Sequence, residues 1–224
     1  FEPQDICKWD KDIEVDLIMH GSPCQDFSLA GLGAGGNKDS GTRSSLMYET
    51  IRIVEKLKPK YVIWENVKNL LSKKHRHNFD SYLELMESLG YTNYYKVLNA
   101  KDYGIPQNRE RVFTVSIRND IKKDFKFPEP EELKLKLKDM LEDVVDEKYY
   151  LTDTQIEKIH ITTYNVGKTG IQENKCIKIK EATKLGYKEA YEGDGVNISS
   201  RMKYQRGNVQ KESIQTLTTS GGNE

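Results

Sequence analysis

The sequence predicts an α/β protein: a mostly parallel sheet with helices on both faces, joined to a smaller, irregular α+β region. Three observations carry that expectation. Short apolar runs alternate with stretches of helical period across the first half, as strand–helix–strand units require. Proline and glycine fall at the joints between these runs. Past Phe125 the periodicity fades, and the chain becomes a mixture of Lys, Gly, Thr, Ile and Asn.

The first strand is read from Val15-Asp16-Leu17-Ile18-Met19. The chain must leave it by Pro23, which has no backbone donor and a fixed φ. A glycine-rich run, Gly31 to Gly36, follows and is flexible by composition. Ser44 can cap a helix whose apolar positions are Met47, Ile51 and Val54, widened by Leu46, Ile53 and Leu57. Pro59 stops that helix before a second strand, Lys60 to Trp64. A second helix is expected over Phe79–Leu89, burying Phe79, Leu83, Met86 and Leu89, with Gly90 ending it. Strands at Tyr94–Leu98 and Val112–Ile117 are close enough to pair antiparallel. Phe127-Pro128-Glu129-Pro130 then breaks regular structure. Beyond it come a charged helix-like stretch, Glu131 to Val145, a short helix capped by Thr152 through Ile159, and short strands such as Ile177–Lys180.

Composition sets bounds. Thirty-five basic and thirty-five acidic residues cancel, so no global positive field attracts nucleic acid. Only local patches such as Lys73-Lys74-His75-Arg76-His77 and Arg201 to Arg206 could do so. Cysteines at 7, 24 and 176 show no paired spacing, which argues against a disulfide framework or a Cys-based zinc site. No metal site is expected. No run approaches the ~20 apolar residues that span a bilayer, and no secretory segment opens the chain. A cytoplasmic, reducing setting follows, and it keeps Cys24 a thiol.

Three segments carry candidate chemistry. Cys24 sits on a proline-stiffened loop beyond a strand end, where α/β sheets present reactive groups. It is a candidate nucleophile; a small buried thiol is the competing reading. Glu65-Asn66-Val67 follows the second strand and places a carboxylate at the same mouth. Tyr103-Gly104-Ile105-Pro106 turns into Gln107-Asn108-Arg109-Glu110-Arg111. Strand alternation would put Gln107, Arg109 and Arg111 on one face, with Asn108 and Glu110 opposite. Plain surface ion pairing is the bland alternative.

In order and spacing these segments resemble the DNA cytosine-5 methyltransferase family. The matching elements are Pro23-Cys24-Gln25, Glu65-Asn66-Val67, Gln107-x-Arg109-x-Arg111, Gly41 to Leu46, and Asn99 to Gln107. Gln4-Asp5-Ile6 is similar to the family's cofactor-binding turn, with Gln in place of Gly, and Gln215 to Thr219 to the stretch leaving its recognition region. The resemblance is dense over residues 1 to about 118 and loose over 190 to 220. It implies a partial Rossmann-like S-adenosylmethionine-dependent methyltransferase sheet over 1–118. A target-recognition region and the start of the return to the catalytic domain would occupy 119–224. The family's opening glycine-rich segment and its last two motifs have no counterpart, so the chain reads as an internal piece of a longer enzyme.

The resemblance implies transfer of a methyl group from S-adenosylmethionine to C5 of a flipped cytosine in a specific duplex. Cys24 would add to C6, with Glu65 at N3. Arg109 would contact O2, and Arg111 would support it or the loop carboxylates. Asn66 would hold the Glu65 turn. Asp5, Ile6, Pro23 and Leu46 match cofactor positions. Gln25, Ser28 and Arg43 would meet DNA, as would Arg206, with Gln205, Asn208 and Gln210 reading base edges or phosphates. Double-stranded DNA is the implied partner, a cognate restriction endonuclease a possible one, and a prokaryotic or phage-encoded monomer the expected form. Two other readings stay open: an RNA cytosine methyltransferase, disfavoured by the long segment from Ile117 to Gln215, and a non-catalytic DNA-binding subunit of a modification complex.

Overall fold

The computed structural model describes residues 4–22, 46–150, 152, 154, 176–198 and 207–215. The chain divides into two compact units, one of residues 1–98 and 110–129, the other of 99–109 and 130–224. The 99–109 segment thus groups with the second unit, although the sequence suggested a boundary at 118.

The first unit is built on a four-stranded sheet. Its strands are β1 (Leu17–His20), β2 (Tyr61–Val67), β3 (Tyr91–Asn99) and β5 (Glu110–Arg118), in the order β1-β2-β5-β3. β1 and β2 are parallel, with His20 opposite Trp64. β5 runs antiparallel to β2, with Val67 opposite Arg111 and Asn66 opposite Val112. The Asn119 N–H donates to Gly90 O, and Ser116 Oγ to Asn93 Oδ1, so residue numbers rise on β3 as they fall on β5. That is antiparallel pairing. Hence β1, β2 and β3 share one direction, and β5 is inserted in reverse between β2 and β3.

Two helices cover one face. α1 (Met47–Leu57) buries Met47, Thr50, Ile51 and Val54, a three-and-four spacing that makes one stripe. It ends at Lys58, whose φ of 48° is left-handed, just before Pro59. α2 (Arg76–Ser88) begins three residues earlier than the sequence predicts and buries Asn78, Phe79, Tyr82 and Met86. Tyr82 is fully buried with its hydroxyl 3.2 Å from His20, while the expected Leu83 and Leu89 are half-buried and pack against the same core. Both helices join one core with Val62, Trp64, Tyr91 and Val112. Helices on both faces were expected, but among the described residues the opposite face carries none, and there Leu17 and Met19 are 45% and 68% exposed.

In the second unit, β4 (Gln107–Asn108) pairs parallel with β10 (Ile214–Gln215). β6 (Ile177–Lys180) and β7 (Tyr187–Ala190) form an antiparallel pair, as do β8 (Gly195–Ile198) and β9 (Gly207–Gln210). Ile179, Ala190 and Val209 make a small core. Gly195 passes so close to Ser213 that a Cβ would lie 2.3 Å from its carbonyl oxygen, a space no side chain fits. The buried Asp194 carboxylate accepts the Tyr191 and Glu212 N–H groups and the Lys211 ammonium, tying these turns together.

The expected helix over Glu131–Val145 is absent; only a 3₁₀ turn, Leu137–Met140, forms there. Leu133, Leu135 and Leu137 alternate with lysines at period two, which gives no apolar helical stripe to bury. Leu137 N–H instead donates to Glu212 O, and Lys136 pairs with the Glu212 carboxylate at 2.5 Å. The short helix from Thr152 through Ile159 falls largely outside the described residues.

Candidate active site

Parallel pairing brings the C-terminal ends of β1 and β2 to one edge of the sheet, and antiparallel β5 brings its N-terminal end to the same edge. Glu65, Asn66 and Val67 are the last three residues of β2 rather than a turn beyond it. The strand alternates, so Val62, Trp64 and Asn66 face the helices while Ile63, Glu65 and Val67 face away. Arg111 sits opposite Val67 on that second face, one pleat along from Glu65.

This stagger brings Arg111 Nε within 2.9 Å of Glu65 Oε1 as an ion pair, while the Nη1–H group donates to Glu110 O at 2.8 Å. The Arg111 side chain is 17% exposed and that of Glu65 35%. The pair is thus partly withdrawn from water yet open on one side. Glu110 points elsewhere and pairs with Lys68 at 2.8 Å. A Cβ built on Gly21 would lie 3.6 Å from Glu65 Oε2, so the backbone leaving β1 runs beside this carboxylate.

Asn66 does more than hold its own turn. Its Oδ1 accepts the Val67 N–H at 2.8 Å, and its amide nitrogen lies 3.4 Å from Ser22 O. Trp64, on the same face, donates its indole N–H to Ser22 Oγ at 2.9 Å. Sequence reasoning missed Trp64 and Ser22. The available signal was parity, since Trp64 and Asn66 share the inward face of one strand.

Arg109 falls between β4 and β5, where its N–H donates to Gln107 O and to Asn99 Oδ1. The expected unbroken strand from Gln107 through Arg111 is therefore interrupted: Arg109 belongs to neither β4 nor β5, and it groups with the second unit while Arg111 groups with the first. Asp5 caps a 3₁₀ turn, Ile6–Lys8, by accepting the Cys7 N–H at 3.0 Å. Arg52 of α1 grips this turn through Ile6 O and Trp9 O, both at 3.0 Å. Leu46 precedes α1 and is half-buried. Asn208 and Gln210 lie on β9, where the Gln210 amide donates to Asn208 Oδ1 at 3.0 Å. Pro23, Cys24, Gln25, Ser28, Arg43, Gln205 and Arg206 lie outside the described residues, as does Ser44.

The first unit is an α/β sheet with this carboxylate–guanidinium pair at the ends of its strands. The solved methyltransferase EhMeth of Entamoeba histolytica overlays with a TM-score of 0.52 at 20% identity, over 66% of this chain and 46% of that one. In sequence, the C-5 cytosine-specific DNA methylase family matches residues 3–223, and the chain belongs to that family. The Type II methyltransferase M2.ScrFI of Lactococcus lactis subsp. cremoris is 52% identical over 143 residues, 64% of this chain and 39% of its own length. The orphan methyltransferase M.SssI of Spiroplasma monobiae is 33% identical over 207 residues, 88% of this chain and 52% of its own. The chain thus spans roughly 39% to 52% of the length of these curated relatives. Among the described residues no helix is long and apolar enough to cross a membrane.

Proposed function

We propose that this chain carries the base-activating machinery and a target-recognition region of a DNA cytosine-5 methyltransferase acting on duplex DNA, with Cys24 as nucleophile. The observation that carries the reading is the Glu65–Arg111 pair, held beside the Gly21–Ser22 exit from β1 in a chain whose family match runs from residue 3 to 223. The sequence places Cys24 two residues beyond that exit.

The chemistry needs these groups in that order. C5 of cytosine is a weak nucleophile until a thiolate bonds to C6 and pushes the ring electrons toward C5, N3 and O2. Cys24 forms that bond. Glu65 meets the charge at N3 as a proton or hydrogen-bond donor, and Arg111 fixes the carboxyl so that it cannot swing away. Arg109 contributes a planar cation for O2. S-adenosylmethionine, when bound, supplies the electrophilic methyl group. Once C5 is methylated, loss of the C5 proton expels the Cys24 thiolate and restores the ring. The base must first leave the duplex stack, at a cost of a few kcal/mol.

The described residues fit part of a cofactor site. Asp5 offers an exposed carboxylate, Ile6 opens the turn and Leu46 precedes α1, both half-buried, and Arg52 anchors the turn. Acceptor and apolar surface are what a ribose and an adenine ring require.

A duplex containing 5-fluorocytosine at the target tests the reading. Fluorine cannot leave as a proton does, so the adduct stalls, and mass spectrometry of the intact protein should find the modified peptide at Cys24. A protein that methylates normal duplex but never forms this adduct would exclude C6 attack.

A further inference from the structure

The turn that carries Asp5 and Ile6 has little packing of its own. Two backbone bonds close it, Lys8 N–H to Asp5 O at 3.0 Å and Trp9 N–H to Ile6 O at 3.3 Å. None of Ile6, Cys7 and Lys8 is buried. Residues 10–14, which follow, are exposed and form neither helix nor strand. Two such bonds do not offset the entropy of ordering the segment, so something outside the turn must hold it.

Side chains of α1 supply that hold. The Arg52 Nη2–H groups donate to Ile6 O and to Trp9 O, both at 3.0 Å, so one nitrogen joins the first residue of the turn to the residue just past its end. The Nε–H donates to Glu49 Oε2 at 2.9 Å, one helical turn back, and this sets the guanidinium plane. Lys56, one turn further on, donates to Asp10 O at 3.2 Å and pairs with its carboxylate at 2.6 Å. An Arg–Glu pair on a helix surface is worth little by itself. The two carbonyl bonds are a different matter: they reach 46 and 43 positions along the chain, so they dock one segment on another. Bonds from a charged donor are also roughly twice as strong as neutral ones. α1 is a firm base for them, since Met47, Ile51 and Val54 fasten it in the core.

We infer that Arg52 is a positioning residue for the cofactor, clamping the Ile6 and Trp9 carbonyls to α1 so that Asp5 and Ile6 are held in place before the cofactor arrives. The inference rests on the reading of Asp5 and Ile6 as cofactor contacts. Without the clamp, only the fraction of molecules with an ordered turn binds well, and the apparent affinity falls by that fraction. Saturating cofactor restores the order, so the loss appears in affinity and not in the rate of the bound enzyme.

The test compares Arg52→Gln, Arg52→Lys, Glu49→Ala and Asp5→Asn in the intact protein. For each, the Kd for S-adenosylmethionine is measured by titration calorimetry without DNA, amide hydrogen exchange of residues 4–10 without cofactor, and single-turnover methylation at saturating cofactor. Arg52→Gln should raise the cofactor Kd at least tenfold and speed exchange across the turn, with the saturated rate within threefold of the parent. Arg52→Lys keeps the charge without the planar fork and should recover part of the affinity. Glu49→Ala frees the guanidinium to rotate and should raise Kd about threefold. A Kd within twofold of the parent in Arg52→Gln overturns the clamp, as does a saturated rate that falls tenfold. Should Arg52→Gln not fold, an unchanged Kd in Glu49→Ala overturns it instead. Asp5→Asn keeps an acceptor for the Cys7 N–H but removes the charge, and should weaken binding at least tenfold while exchange of the turn stays as in the parent. An unchanged Kd in that variant would overturn the reading of the turn as a cofactor contact, a failure distinct from that of the clamp.

Discussion

Glu65 and Arg111 meet because antiparallel register sets them one pleat apart on the same face of the sheet. Arg111 uses two different nitrogens, Nε for the carboxylate and Nη1 for Glu110 O, so its plane is fixed at both ends. Lysine offers one charge centre on a flexible stem and cannot make both bonds. Arg111→Lys should therefore lower single-turnover methylation by about 10- to 100-fold, in line with the ~1.5–3 kcal/mol of a hydrogen bond to a charged group. Duplex affinity should change little. A rate within twofold of the parent would mean that Glu65 holds its place without this support.

The element scale shows what amino-acid pattern could and could not convey. Met47, Ile51 and Val54 announced α1, because a helix needs only its own periodicity to be recognised. The start of α2 was hidden, since Arg76, His77 and Asn78 carry no apolar signal and Asn78 is buried all the same. The directions of β1, β2 and β3 followed from the helices between them. The slot taken by β5 did not, because pairing partners are chosen by tertiary contacts and not by local sequence. At the candidate site, Glu65 and Arg111 were legible as residue types near strand ends, whereas Cys24 lies outside the described residues. The break between β4 and β5 at Arg109 was not, because strand alternation assumes a continuity that the Gln107 O–Arg109 N–H contact interrupts. Phe79 lies where α2, Trp64 and Tyr95 converge and is fully buried. Phe79→Ala should cost roughly 3–5 kcal/mol of unfolding free energy, read by urea denaturation. A loss under 1 kcal/mol would show that this core is not the centre of stability for the first unit.

Stability of the whole molecule carries a pH signature from one imidazole. Burial pushes the His20 side chain down to about 3, so it is neutral in the folded protein. The unfolded chain takes up its proton near pH 6.5 and the folded one does not, so unfolding gains protons as pH falls. The stabilisation is fully present above pH 6.5 and drains as pH drops toward 3, by up to roughly 5 kcal/mol. Urea midpoints of the parent should fall steeply between pH 6 and 4, whereas those of His20→Gln should fall less. Equal slopes in the two proteins would place the acid sensitivity elsewhere.

The backbone crosses between the two compact units three times, at 98/99, 109/110 and 129/130. β4, from the short middle excursion, is hydrogen-bonded to β10, which arrives a hundred residues later. The second unit is therefore not a cassette that can be lifted out by a single pair of cuts after residue 118. A chimera spliced there would inherit Gln107 and Asn108 from one parent and Ile214 and Gln215 from the other, and its two-stranded seam would have to be rebuilt from strangers. Grafts that carry 99–109 along with the downstream segment keep that seam native, and they deliver Arg109 with the surroundings it evolved in.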